Sequence, residues 1–175
     1  GGFLIYALSK FFSKIPNSLT SNEKDKLKKI IKNESIFGID ASKDDIVPIT
    51  RMNMYLHGDG GSHIFLADTL DKDFFIDPSE DDELKKQIRE LKEVFNKNKF
   101  DVVLTNPPFS MGYSLDDQDQ SRILKQYEIS RLSGKQTKSL KSNIMFLERY
   151  YDYLKPGGKL ITVIDESVLN TQGRG

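Results

Sequence analysis

Four consecutive residues, Asn106-Pro107-Pro108-Phe109, follow the apolar run Phe100-Asp101-Val102-Val103-Leu104-Thr105. An amide side chain, two residues without backbone donors and an aromatic ring at the end of a buried strand suit the grip of a planar, amino-bearing ring such as a nucleobase. The chemistry such a grip serves is methyl transfer onto the amine. A ring amine is a poor nucleophile because its lone pair is delocalised, so catalysis favours a pyramidal nitrogen whose lone pair points at the donor methyl. Two acceptors aimed at its two hydrogens achieve that. One is the side-chain oxygen of Asn106, and the other is the backbone carbonyl of Pro107 in a stiff turn without competing donors. Asn106 acts here as an acceptor and not as a base. Phe109 would stack on an extruded base, since a base inside a duplex must be flipped out at a cost of a few kcal/mol. The same residues also suit a turn that merely ends a strand, because the residue before each proline is forced extended in either case.

The elements that must position this turn follow from periodicity. Residues 3–14 place Phe3, Leu4, Ala7, Leu8, Phe11 and Phe12 at helical spacing. A second helix is expected from Thr20, with Glu23 answering in a capping box. Residues 35–40 read as a strand ending in Asp40, residues 42–57 as a helix with Pro48 in its first turn, and residues 64–68 as a strand ending in Asp68. A charged insert at about 71–99 holds a helix over residues 80–96 that Ser79 could cap, and the strand at 100–105 leads into the Asn-Pro-Pro-Phe turn. Residues 110–141 are polar with little periodicity and read as a long mobile loop. A helix over 142–154 ends at Lys155-Pro156-Gly157-Gly158, and a buried strand follows over 159–164. Alternating helices and continuous apolar strands imply an α/β fold with a parallel sheet flanked by helices, in which ligands bind outside the carboxyl ends of the strands. Asp40, Asp68 and Asn106 all fall at such ends.

The bulk numbers narrow the chemistry. At 175 residues the chain suits one domain. Lys+Arg and Asp+Glu both number 26, so any basic surface is local. There is no cysteine, which removes thiolate zinc sites and the nucleophile that methylation of a cytosine ring carbon would need. Heteroatom methylation remains. With 30% charged residues, a mean hydropathy of −0.50 and apolar runs far shorter than the roughly 20 residues of a membrane span, the chain is expected to be soluble and intracellular. Gly1-Gly2-Phe3-Leu4 reads like the glycine turn and first helix of a nucleotide-binding unit whose preceding strand is absent, so a fragment of a longer protein is expected. His57 and His63 are too isolated for a metal site, and His57 reads as a helix-end residue.

Asn106-Pro107-Pro108-Phe109 resembles the catalytic motif of amino methyltransferases that use S-adenosylmethionine. Gly1-Gly2-Phe3-Leu4, Gly38-Ile39-Asp40, the run from Arg51 to Gly58, Ala67-Asp68-Thr69-Leu70 and Leu154-Lys155-Pro156-Gly157-Gly158 look like successive blocks of the modification subunit of type I restriction-modification systems, an adenine-N6 DNA methyltransferase. The resemblance spans most of the chain outside residues 71–99 and 110–141. It implies a Rossmann-like S-adenosylmethionine-dependent methyltransferase fold, with residues 1–175 a partial catalytic domain whose first strand is missing. It also implies that Asp40 binds the ribose hydroxyls of the cofactor, although an acid there equally suits a helix N-cap. Asp68, with Thr69 and Leu70 beside it, would bind the cofactor's adenine amine, a turn aspartate being the plain alternative. Gly1 and Gly2 would let the backbone approach the methionine part, though a vector remnant could also leave two glycines. Asn106 borders both cofactor and substrate, and no metal is required.

The implied substrate is an adenine flipped from double-stranded DNA. The implied partners are a specificity subunit that chooses the sequence and a restriction subunit, in the cytoplasm of a prokaryote and away from any membrane. Arg122, Lys125, Arg131, Lys135, Lys138 and Lys141 form a local basic excess that suits phosphates near the flipped base or simply a solvated loop. The rival readings are an amino methyltransferase acting on RNA or protein glutamine, and a methyltransferase-like module kept for assembly without turnover.

Overall fold

The computed structural model describes residues 2–42, 44–58, 63–97, 99–108, 111–132 and 134–169. The chain divides into two compact units, Gly1–Asp68 with Ile76–Arg89, and Thr69–Phe75 with Glu90–Gly175.

The first unit opens with α1 (Gly2–Ser13), whose apolar stripe buries Leu8 against Ile36 and Met54, with Leu4, Ile5, Ala7 and Phe12 packed beside them. Helix α2 (Ser21–Ile30) starts at the expected capping box: Thr20 Oγ1 accepts from the Glu23 N–H at 3.4 Å, and the Thr20 N–H donates to Glu23 Oε2 at 2.9 Å. A π turn over Ile31–Ser35 leads to β1 (Gly38–Asp40). Helix α3 (Ile46–Leu56) then crosses over to β2 (Ile64–Leu66), which pairs in parallel with β1 so that Gly38 meets Ile64 and Asp40 meets Leu66. A Cβ on Gly38 would lie 2.9 Å from Leu4 Cδ1 and 3.1 Å from Ile64 Cδ1. Glycine at this position therefore lets α1 lie close on the strand. Arg51, on α3, ties the helix to β2 by donating through Nε to the Ile64 carbonyl at 2.8 Å.

Helix α4 (Asp82–Lys97) occupies the charged insert. Its cap differs from expectation. Asp81 Oδ1 accepts from the Leu84 N–H at 2.7 Å, whereas Ser79 turns both its N–H and its hydroxyl back onto Asp77.

In the second unit β3 (Phe100–Thr105) pairs in parallel with β8 (Leu154–Thr162), with Leu104 opposite Ile161 and Thr105 opposite Thr162. The register shifts between Phe100 and Val102, where Pro156-Gly157-Gly158 loops out of β8 and Gly157 takes φ 80°. One face of the pair, at Val103 and Thr105, meets α6 (Ser142–Tyr153). On the other face Val102, Leu104, Ile161 and Val163 are exposed. A short helix, α7 (Glu166–Leu169), follows β8.

Residues 110–141, expected to be a long loop, carry regular elements instead. Strand β4 (Gly112–Ser114) pairs antiparallel with β7 (Ser139–Lys141), and β5 (Arg131–Leu132) with β6 (Lys135–Gln136). Between them lie α5 (Gln118–Leu124), capped by Asp117 through the Gln120 N–H at 2.9 Å, and a 3-10 turn over Glu128–Ser130. The region folds because a few dispersed side chains, Tyr113, Ile123, Leu124 and Tyr127, join Leu70 and Met145, Phe146 and Tyr150 of α6 in one core. No single element contributes enough of them to print a period on the sequence.

The result is a mixed α/β fold with small parallel sheets. A parallel sheet flanked by helices was the expectation, and the described residues form two parallel pairs. None of the described helices is long and apolar enough to cross a membrane.

Candidate active site

The Asn-Pro-Pro turn leaves β3 at the carboxyl end of a parallel pair, the position expected for it. Asn106 and Pro108 are exposed while Pro107 is buried, so the turn is anchored through its middle and presents its amide outward. Three bonds fix the backbone on either side. The Val163 N–H donates to the Thr105 carbonyl at 3.1 Å, the Ser142 hydroxyl donates to the Pro108 carbonyl at 3.4 Å, and the Ser142 N–H donates to the Met111 carbonyl at 2.9 Å. Below the turn the hydroxyls of Thr105 and Tyr150 lie 3.1 Å apart. Burial pushes the Tyr150 pKa up, and bonds to Thr105 and Thr162 offset part of that. Tyr150 thus bridges the register pair that ends β3 and β8. Phe109 lies outside the described residues.

Asp40 and Asp68 belong to the first unit, and its sheet brings them to one end. β1 and β2 run in parallel side by side, the Ala67 N–H donates to the Asp40 carbonyl at 3.0 Å, and Asp68 follows Ala67 directly. The Asp40 carboxylate does not cap α3. Its Oδ1 accepts from the Ser42 N–H at 2.8 Å in a local turn, whereas α3 starts at Asp45 without any side-chain cap. Gly2 opens α1 of the same unit, and Gly1 lies outside the described residues.

Thr69 belongs to the second unit and opens a segment whose anchoring sequence reasoning missed. Three successive carbonyls of this segment are held by side chains. Thr69 accepts from Arg149 Nε at 2.7 Å and from the Tyr153 hydroxyl at 3.5 Å, Leu70 accepts from the Tyr127 hydroxyl at 2.7 Å, and Asp71 accepts from Arg149 Nη2 at 3.4 Å. The Asp71 carboxylate takes both forks of Arg122, at 3.0 and 2.8 Å, together with Gln126 Nε2 at 3.0 Å and the Phe75 N–H at 2.8 Å. Burial alone would raise the Asp71 pKa, but Arg122, the Phe75 N–H and Gln126 together hold it below its ordinary value. Lys72 pairs with Glu148 at 2.6 Å and Asp152 at 2.7 Å. The available signal was weak: Asp71, Arg122 and Arg149 are charged residues among many, and nothing local marks them as partners.

Of the basic residues at 122–141, Arg122 is partly buried and paired with the Asp71 carboxylate. Lys125, Arg131, Lys135, Lys138 and Lys141 are exposed. His57 closes α3, with Nδ1 2.8 Å from the Asn53 carbonyl, as a helix-end residue does. Among the described residues no group of histidine, aspartate and glutamate side chains could hold a metal ion.

The chemistry of these groups is that of acceptors. An exposed amide stands on a rigid turn at one strand end, and two carboxylates stand at the carboxyl ends of a parallel pair. No curated protein and no solved structure matches the chain. The profile of the N-6 DNA methylase family matches residues 1–175, and the chain belongs to that family.

Proposed function

We propose that this chain is the Rossmann-like catalytic part of the modification subunit of a type I restriction-modification system, which transfers a methyl group from S-adenosylmethionine to adenine N6 in DNA. The observation that carries this reading is the turn at 106–108: an exposed Asn106 on a buried Pro107, at the carboxyl end of a strand in a parallel pair, in a chain of the N-6 DNA methylase family. Asn106 Oδ1 and the Pro107 carbonyl accept the two hydrogens of the adenine amine and turn its lone pair outward. Neither needs to ionise, because the amine becomes acidic as it takes the methyl and can lose its proton to water. Phe109 stacks on the flipped ring.

The donor set in the first unit suits S-adenosylmethionine. Two carboxylates at the carboxyl ends of adjacent parallel strands match the hydroxyl and amine donors of a nucleoside. Asp40 would hold the ribose hydroxyls, Asp68 and Thr69 the adenine, and Gly1 and Gly2 would admit the methionine part, with Asn106 bordering it. Bound there, S-adenosylmethionine would supply an activated methyl group on a sulfonium. The chain's own residues supply position: they bind the donor, strip one amine of its solvation and hold it for an in-line approach. A specificity subunit chooses the DNA sequence and a restriction subunit joins for cleavage, in the cytoplasm of a prokaryote.

The test is tritiated methyl transfer by the full-length protein, with and without a specificity subunit, on DNA, RNA and protein. Labelling of adenine in DNA only when the specificity subunit is present supports the reading. Labelling of RNA or of protein glutamine overturns the substrate, and a protein that binds S-adenosylmethionine but never transfers its methyl is an assembly module.

A further inference from the structure

Helix α6 carries, on one rigid rod, bonds to both halves of the proposed reaction. Toward the acceptor turn it contributes Ser142, whose hydroxyl donates to the Pro108 carbonyl at 3.4 Å, and Tyr150, whose hydroxyl lies 3.1 Å from Thr105 Oγ1. Toward the segment after β2 it contributes Arg149, which donates to Thr69 at 2.7 Å and to Asp71 at 3.4 Å, and Tyr153, which donates to Thr69 at 3.5 Å. All these residues belong to the second unit. Successive residues of an α-helix point about 100° apart, so Arg149 and Tyr150 reach two different segments from one turn. Ser142 and Tyr150, eight positions apart, span roughly 12 Å of the same rod.

The anchors are stiff. Arg149 is 6% exposed, and its guanidinium lies 5.1 Å from the centroid of the Phe74 ring and 4.4 Å from that of Tyr153. A buried arginine whose fork is directed at backbone carbonyls, with two aromatic rings against it, has little freedom to follow a drifting loop. Tyr150 is buried and stacks on Phe146 at 5.5 Å. The carbonyls at 69–71 have no place in a strand ladder, and at Thr69 the bonds from Arg149 and Tyr153 take the place of one.

We propose that α6 is the spacer that sets the cofactor-side segment at Thr69 against the acceptor turn at 105–108, with Arg149 the positioning residue on the cofactor side and Tyr150 the positioning residue on the acceptor side. The proposal rests on the functional reading given above. It makes the two sides separable. Loosening Thr69 weakens the hold on S-adenosylmethionine and leaves the acceptor turn in place. Loosening Thr105 lets the acceptor turn drift while the donor stays bound, and transfer is sensitive to such drift because the reacting atoms must stay aligned.

The experiment measures S-adenosylmethionine affinity by calorimetry and single-turnover methyl transfer at saturating cofactor, on the full-length protein with its specificity subunit, for Arg149→Lys, Tyr153→Phe and Tyr150→Phe. Loss of one or two hydrogen bonds corresponds to about tenfold. Arg149→Lys is expected to weaken cofactor binding by about tenfold with the transfer rate within about twofold, and Tyr153→Phe to do the same more weakly. Tyr150→Phe is expected to slow transfer by about tenfold with cofactor affinity within about twofold. A merely structural role would move affinity and rate together in all three, and thermal melting of each variant reports folding separately. Variants whose two readouts fall together, or stay at parental values while the parent binds and transfers, overturn the proposal alone. A parent that binds no S-adenosylmethionine overturns the functional reading and this proposal with it.

Discussion

Arg122 places two guanidinium nitrogens on the two carboxylate oxygens of Asp71, at 3.0 and 2.8 Å, and the Asp71 side chain is only 7% exposed. The pair joins α5, inside the stretch at 110–141, to the segment that follows β2. Such a forked pair is stronger than a point contact, and removing one partner leaves the other charge poorly solvated. Arg122 is itself about a third exposed, which tempers the loss. Asp71→Asn is expected to destabilise the protein by roughly 2 kcal/mol at neutral pH, measured by urea denaturation.

The same carboxylate gives stability a defined acid limit. The folded pKa of Asp71 lies below its ordinary 3.8, so its contribution is complete above that value and is lost as pH falls through the lower folded one. Glu148 behaves alike. Burial would raise its pKa, but Lys72 and the N–H groups of Ile129 and Glu128 hold it below 4.5. Stability is therefore expected to be flat with respect to these two groups near neutrality and to fall on acidification below about pH 4.5. Asp71→Asn should remove the Asp71 share of that fall. An acid limb of unchanged slope in the variant would show that the pair does not govern it.

The bulge in β8 depends on Gly158. A Cβ there would lie 3.0 Å from the Lys155 carbonyl oxygen, 3.1 Å from the Phe100 carbonyl oxygen and 3.0 Å from Leu154 Cδ2. Two of these neighbours are backbone and cannot swing aside. Gly158→Ala is expected to cost about 2 kcal/mol by forcing β8 away from β3. The corresponding change at Gly38 meets only side-chain ends, of Leu4 and Ile64, and should cost less. Thermal melting of the two variants side by side gives the ranking.

Thr20→Ala removes the hydroxyl that accepts from the Glu23 N–H. Helix α2 buries none of its residues, so packing cannot replace the cap. The expected loss is about 1 kcal/mol, seen as earlier amide exchange across Ser21–Ile30 with little change elsewhere. Protection unchanged over those residues would mean that the box does not hold the helix.

What the sequence made legible divides along a physical line. Helix α1, the box at Thr20 and Glu23, Pro48 inside the first turn of α3, β3 and the parallel pairing were readable because each is written locally, in a period or a cap. The region 110–141 was not, since its core takes single residues such as Tyr113, Leu124 and Tyr127 from separate short elements. Asp81 displaced Ser79 as the cap of α4 because two candidate caps lay within two residues and only geometry decides between them. Of the candidate site, the strand ends at Asp40, Asp68 and Asn106 were visible. The clamp on residues 69–71 was not, because it joins positions far apart in the chain: Arg149 and Tyr127 reach backbone carbonyls that carry no sequence signature, and Arg122 reaches the Asp71 carboxylate, one acid among many.

Asn106 is proposed to serve chiefly as an acceptor for the target amine, its border with the cofactor adding little to cofactor affinity. Asn106→Ala in the full-length protein, assayed for S-adenosylmethionine affinity and for tritiated methyl transfer to DNA, tests it most directly. Transfer is expected to fall by at least about a hundredfold, on the scale of losing one preorganised partner of the reacting group, with cofactor affinity within about threefold of the parent. Cofactor binding lost in proportion to transfer, or transfer retained, would contradict it.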